Sequence, residues 1–149
     1  MLTYVDPSVA AAAGWQHGRL LLRFLRVRNA KLPLTIFLLV GLDHRVPTTP
    51  LIWGAVLIVL VYGFVVVFND IHDVVGDKIN NRDLPLATGE LTDAQAIGIL
   101  GSLALGIVLL VLAWSSAIVA MATAALTMAS YLYSAPPWRL SDRGLLGPA

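Results

Sequence analysis

The sequence contains no cysteine, which excludes disulfide bonds and thiolate chemistry in this chain. Charged residues are scarce as well, at 13% of the chain, whereas soluble domains carry about 25%. The net charge of +1 provides no strongly basic face, so we expect no nucleic-acid partner. What is abundant is hydrophobic sequence, at 58% of residues, with a mean hydropathy of +0.79. This composition predicts an integral membrane protein built only of helices.

The gaps between charged residues place the helices. Two long stretches, residues 46–69 and 94–138, contain no charged residue, and the second is long enough for two spans of about 20 residues. A first span is less regular, because the apolar run of residues 32–42 must be extended back through several basic residues that either snorkel or form an amphipathic lead-in. We therefore predict one membrane domain over residues 1–149, with about four helices at 20–42, 50–69, 94–113 and 117–134.

The basic residues predict the orientation of these helices. If four spans are drawn, all ten lysines and arginines except Arg45 lie on one side of the membrane. Basic residues accumulate on the cytoplasmic side of membrane proteins. We expect a multi-pass protein of the cell membrane, with both termini and an aspartate-rich loop at 69–92 facing the cytoplasm. Nothing in the sequence indicates an oligomeric state.

Three carboxylates follow the predicted helix 50–69 at helical spacing. Asp70, Asp73 and Asp77 would fall within an arc of about 60° on one helical face, over about 10 Å of its length. Carboxylates this close resist full ionisation unless a cation lies among them. Hard oxygen ligands suit Mg²⁺, which keeps part of its coordination shell for water and substrate phosphate oxygens. The spacing therefore predicts a magnesium site at the end of a membrane helix.

Cationic residues come directly after these acids. Lys78 and Arg82 could bind phosphate oxygens, the lysine as a point charge and the arginine as a fork. The other interpretation of the segment 69–92 is an ordinary solvated loop whose acids and bases neutralise one another. The spacing of the residues alone supports the metal and phosphate site and the solvated loop about equally.

Two motifs in this chain resemble a known family. Asn69, Asp70, Asp73 and Asp77, followed by Arg82-Asp83-Leu84-Pro85 and Gly89, are similar to the first aspartate-rich motif of the UbiA superfamily of intramembrane prenyltransferases. The run Tyr133-Ser134-Ala135-Pro136-Pro137-Trp138-Arg139-Leu140 resembles the Tyr-Ser-x-Pro-Pro-x-Arg-Leu signature of that family. The two motifs occur in the family's order, each at the cytoplasmic end of a predicted helix.

The resemblance implies a Mg²⁺-dependent transfer of an isoprenyl group from a prenyl diphosphate to an aromatic or lipophilic acceptor. By this resemblance Asp70, Asp73 and Asp77 hold magnesium and form the catalytic centre, and Tyr133 faces the cavity. The implied diphosphate contacts are Asn69, Lys78, Arg82 and Arg139. The family fold has about nine helices and a second aspartate-rich motif. We therefore expect this chain to correspond to the first half of the fold and to be incomplete on its own.

Two alternatives from other functional classes remain. One is a segment of a cation transporter, in which the three aspartates form an entry cluster. The acids lie beside Lys78 and Arg82, which suit an anionic ligand better than a bare cation. The other is a non-catalytic membrane subunit or a truncated, inactive product, which the length of the chain favours.

Overall fold

The computed structural model describes the backbone of residues 7–138 and the side chains of residues 16–138. Within this part of the chain all regular structure is helical, which confirms the predicted all-α class. The elements are α1 (Pro7–Phe24), a short 3-10 helix (Val27–Ala30), α2 (Lys31–Asp43), α3 (Thr48–Ile79), α4 (Asp93–Trp114) and α5 (Ala117–Ser134).

Three of these helices are long and apolar enough to cross a membrane, namely α3, α4 and α5. The helix α2 has 13 residues, fewer than the roughly 20 that a span needs. The helix α3 is longer than a span: its 32 residues measure about 48 Å, against a hydrocarbon core of about 30 Å. All its charged residues lie in its C-terminal part, which carries the acidic motif, and a helix of this length is accommodated by tilt or by extension past the apolar layer.

The predicted helix 20–42 is wrong, because the structure divides this region into two helices. Arg26 adopts a left-handed backbone conformation with φ 46° and lies directly before the 3-10 helix. Left-handed geometry is unfavourable for residues with a side chain, and here it stops α1 and redirects the chain into α2. The basic residues considered as an amphipathic lead-in are divided among these elements: Arg23 lies in α1, Arg28 in the 3-10 helix and Lys31 at the start of α2.

The helix predicted at 50–69 is longer in the structure, where α3 continues to Ile79. The first part of the segment 69–92, predicted as a loop, is therefore helical. The helix ends where Asn81 takes a left-handed conformation, φ 50°, and the Arg82 N–H donates to the Asp77 carbonyl at 3.0 Å. Asparagine tolerates this geometry at a helix end. The helices α4 and α5 lie within one residue of the predicted 94–113 and 117–134.

The α3–α4 connection and α1 share one buried cluster at the acidic end of the bundle. Its members come from α1, α3, the connection and α4: Phe24, Val67, Leu86, Leu91 and Ala96. The connection ends in a capping box, in which the Thr92 hydroxyl accepts from the Gln95 N–H and the Gln95 side chain accepts from the Thr92 N–H. The cluster holds α1 and the connection against the end of α3, where the candidate site lies.

Candidate functional site

Asp70 is the most deeply buried acid of the site. It lies on α3 with 4% of its surface exposed, and one carboxylate oxygen, Oδ1, accepts from Arg26 Nη2 at 2.7 Å. The second oxygen, Oδ2, is buried and has no hydrogen-bond partner among the described residues. A buried polar atom without a partner costs free energy unless a ligand satisfies it. The oxygen is therefore suited to a bound cation.

Asp77 is buried two turns further along the same helix. It is 5% exposed, and its Oδ1 lies 3.1 Å from Arg82 Nη1. Asp73 lies on α3 between the two buried acids and is half-buried. The helix thus carries the three acids on one face, as predicted. No group of three or more histidine, aspartate or glutamate side chains in the described part of the chain is arranged to hold a metal ion.

The two arginines come from elements on either side of the acidic face. Arg26 is supplied by the break between α1 and the 3-10 helix, and Arg82 by the connection that follows α3. Each arginine pairs with one of the two buried carboxylates, Arg26 with Asp70 and Arg82 with Asp77, and supplies the positive charge that a buried acid needs. The sequence analysis assigned Arg82 to the site, whereas Arg26 was only one of the basic residues expected to snorkel or to form an amphipathic lead-in. The sequence offered no signal for this contact, because Arg26 lies beyond the end of α1, in a left-handed conformation that no glycine or proline marks.

The predicted phosphate contacts Lys78 and Arg82 line one cavity of about 400 Å³, together with Asn81, Asp83, Ala87 and Thr88. The ion pair of Arg82 with Asp77 places this cavity beside the acidic face. Asn81 contributes a side-chain amide to the same wall. The structure therefore brings together an acidic face and a cationic cavity at one end of α3.

The end of α5 reaches the same place. The Ser134 hydroxyl donates a hydrogen bond to the Asn69 side-chain oxygen, and Ser134 is buried. The two sequence motifs are thus in direct contact through the first residue of one and the second residue of the other. Tyr133 is 51% exposed, and its predicted place in the cavity stays a prediction. Arg139 lies outside the described residues.

An apolar groove of about 340 Å³ lies between α3, α4 and α5, and Phe64, Ile107 and Thr123 are among its lining residues. Two further aromatic rings, those of Phe68 and Tyr131, lie close to the groove residue Phe64. The ring of Phe68 stacks on that of Phe64 with centroids 5.9 Å apart, and it lies 6.2 Å from the ring of Tyr131. Ring contacts thus lead from Phe64 in the wall of the groove to Phe68, which lies two residues before Asp70 on α3.

Comparison with known families gives one match over most of the chain. The family model described as the UbiA prenyltransferase family matches residues 31–148. No curated protein and no solved structure matches the chain. The match includes the acidic face, the cationic cavity and both motifs, and it begins after α1 and the 3-10 helix.

Proposed function

Since the chain belongs to the UbiA prenyltransferase family, we propose that it transfers an isoprenyl group from a prenyl diphosphate to an aromatic or lipophilic acceptor with the help of Mg²⁺. The observation that carries this proposal is Asp70 Oδ2, a buried carboxylate oxygen without a partner among the described residues, on a helix that is longer than a membrane span. The acid lies beside cationic residues, as the binding of a metal-bound diphosphate requires.

Asp70, Asp73 and Asp77 would hold the metal, directly or through water. Their carboxylate oxygens are the hard ligands that Mg²⁺ prefers. When bound, the metal supplies Lewis-acid assistance to the departure of diphosphate and orients it. Asn69, which accepts a hydrogen bond from Ser134, would contact the metal or the diphosphate. The diphosphate oxygens would be bound by Lys78, Arg82 and Arg139.

The aromatic and apolar surfaces would serve the isoprenyl chain. The groove between α3, α4 and α5 offers space for a hydrocarbon, and water is excluded from it by the surrounding apolar side chains. Loss of diphosphate leaves an allylic cation, and the π electrons of the neighbouring Phe68 and Tyr131 rings would attract its positive charge. We infer that the reacting carbon lies near these rings and that Tyr133, at the same end of α5, borders the acceptor.

Two further parts of the proposal concern the whole protein. The acidic face lies on the cytoplasmic side, as the distribution of basic residues predicts. We expect the diphosphate to be held between this face and a second aspartate-rich motif, as the resemblance to the family implies. A cation pathway is the less favoured function, because both buried acids of α3 pair with arginine, which opposes the passage of a bare cation.

The proposal is tested with the complete protein in lipid nanodiscs, Mg²⁺ and labelled prenyl diphosphates of several chain lengths. We expect the release of diphosphate and the appearance of a prenylated lipophilic product. Chelation of the divalent metal should stop both, and added Mg²⁺ should restore them. Transfer that continues in the presence of the chelator would contradict magnesium dependence. Failure to consume any prenyl diphosphate, with a folded protein, would contradict the proposed function.

Arg82→Gln should raise the KM for the prenyl diphosphate more than it lowers kcat. Hydrogen bonds to charged groups contribute about 1.5–3 kcal/mol, and because the Arg82 side chain is 61% exposed we expect the lower end, about a 10-fold increase in KM. The matched control is Arg45→Gln, which removes a positive charge from the α2–α3 turn. An unchanged KM in Arg82→Gln would remove this residue from the diphosphate site.

A further inference from the structure

Asp70 already has a cation at its carboxylate, and this cation belongs to the chain itself. Arg26 Nη2 lies 2.7 Å from Asp70 Oδ1, and the acid is 4% exposed. The other oxygen, Oδ2, is buried and accepts no hydrogen bond from the described residues. The proposed function assigns a divalent metal to the same carboxylate. A guanidinium and a metal on the two oxygens of one carboxylate would repel each other over a short distance.

This repulsion should be strong because the surroundings screen it only in part. The Arg26 side chain is 32% exposed and the side chain of Asp70 is 5% exposed, and partly buried charges are screened less than charges in open solvent. The other buried acid of α3, Asp77, pairs with Arg82, whose side chain is 61% exposed, so solvent screens that pair more. Arg26 is therefore the arginine that should oppose a metal at the acidic face most strongly.

The contact between Arg26 and Asp70 is also part of the attachment of α1. Arg26 lies two residues after Phe24, the last residue of α1. At the same end of the helix, Phe24 packs in the buried cluster with residues of α3, α4 and the α3–α4 connection, and Arg23 pairs with two acids of that connection. The Arg26–Asp70 ion pair adds a polar contact between the end of α1 and α3, and the acid of the proposed metal site supplies it.

Neither the family match nor the proposed reaction gives Arg26 a task. The match begins at residue 31, whereas α1 and Arg26 precede it. The proposed reaction uses Asp70 for the metal and other cationic residues for the diphosphate. A cation that occupies one oxygen of a proposed metal ligand must nevertheless affect the binding of the metal.

We propose that Arg26 competes with the divalent metal for Asp70 and thereby couples metal binding to the attachment of α1. Without metal, the guanidinium neutralises the acid and holds the end of α1 against α3. The ion pair weakens when a metal binds Oδ2, and α1 is then held less tightly. Because the two equilibria are linked, the factor by which attached α1 lowers metal affinity equals the factor by which bound metal favours its release. The proposal rests on the metal site of the proposed function but not on prenyl transfer.

The first test measures metal affinity without any prenyl substrate. Mn²⁺ is titrated into the complete protein in phosphatidylcholine nanodiscs, and the free ion is measured by electron paramagnetic resonance. Arg26→Gln should bind Mn²⁺ on the order of 10-fold more tightly than the parent, because the opposing charge is absent. Arg26→Lys keeps that charge and should bind Mn²⁺ as the parent does. Unchanged or weaker Mn²⁺ binding in Arg26→Gln would overturn the proposal.

Two further variants show whether the charge acts at Asp70. Arg28→Gln is the matched control, since Arg28 is an exposed arginine two residues further along, in the 3-10 helix, and should leave Mn²⁺ affinity unchanged. An equal gain in this variant would show an effect of overall charge and overturn the proposal. The double variant Arg26→Gln/Asp70→Asn, compared with Asp70→Asn alone, should lose most of the gain. A gain of full size there would place the competition at another metal site and overturn the assignment to Asp70.

The second test measures the attachment of α1. Trypsin cleavage after Arg19, which lies in α1 and is present in every variant, reports the fraction of molecules in which α1 is detached. Mn²⁺ should speed this cleavage several-fold in the parent. In Arg26→Gln, cleavage should be fast with or without Mn²⁺. A cleavage rate in the parent that does not respond to saturating Mn²⁺ would overturn the coupling between metal and α1.

The outcomes separate this proposal from the proposed function. Equal Mn²⁺ affinity in the parent and in Arg26→Gln would overturn the competition alone. Absence of saturable Mn²⁺ binding in both proteins would overturn the metal site and the competition together. Tighter Mn²⁺ binding in Arg26→Gln, in a protein that consumes no prenyl diphosphate, would support the competition while contradicting the proposed activity.

Discussion

Asp70→Asn should lower kcat/KM for prenyl transfer by more than about 100-fold in the complete protein. The substitution keeps the shape of the side chain but removes the negative charge from a residue that is 4% exposed. The orphaned oxygen Oδ2 is the group that we expect to contact the metal. Loss of an outer-shell partner of a metal ligand already costs about 10- to 100-fold, and loss of a ligand charge should cost more.

The measurement separates metal binding from folding. Binding of Mn²⁺, followed by electron paramagnetic resonance, should weaken in Asp70→Asn together with activity, while the thermal unfolding curve shows that the protein is folded. Asp43→Asn is the matched control, since Asp43 is an exposed acid at the end of α2 and should change neither quantity. Retained activity in Asp70→Asn would contradict the site assignment. Unchanged Mn²⁺ binding with lost activity would assign Asp70 a role other than that of a metal ligand.

The acidic face could be predicted because it depends only on local geometry. Asp70, Asp73 and Asp77 recur at helical spacing, and a helix of any origin places such residues on one side. The same holds for α4 and α5, whose bounds follow from a long stretch without charge and a Trp114-Ser115-Ser116 break. Length and polarity are read directly from the sequence, since a span must match the thickness of the hydrocarbon layer.

The partner of Asp70 could not be predicted in the same way. Arg26 reaches the acid only because the chain adopts a left-handed conformation at Arg26 itself, which separates α1 from the following helix. No glycine or proline marks this position, so the local sequence carries no signal of a break. The conformation is stabilised by tertiary contacts: Phe24 is buried two residues earlier, and the ion pair with Asp70 forms beyond the break.

The continuation of α3 past residue 69 was also not predicted from the sequence. The charges after Asn69 indicate the end of a membrane span, and this is where the apolar layer should end. A helix does not have to stop at the layer, however, and α3 continues until the left-handed Asn81. Arg82 pairs with Asp77 across the end of the helix, so one contact both neutralises a buried acid and joins the helix to its connection. The site is thus built on a rigid helix, which favours a fixed spacing of its acids.

The packing of Phe24 predicts a large loss of stability when this side chain is removed. Phe24 is fully buried between α1, α3 and the α3–α4 connection. Phe24→Ala should lower the free energy of unfolding by about 3–5 kcal/mol, the usual cost of removing a buried phenylalanine. Because the ion pairs of Arg23 and Arg26 lie on either side of this residue, α1 should also separate from the bundle, and the acidic face should lose its Arg26 partner.

Two readouts test this expectation, unfolding in mixed micelles and protease cleavage after the arginines of α1. Leu22→Ala is the matched control, since Leu22 lies in the same helix but is 57% exposed and should change stability by less than about 1 kcal/mol. Faster cleavage in Phe24→Ala than in Leu22→Ala would show that one aromatic side chain holds α1 to the site. Equal stability of the two variants would mean that the ion pairs with Glu90 and Asp70 hold α1 in place without Phe24, and would contradict the packing argument.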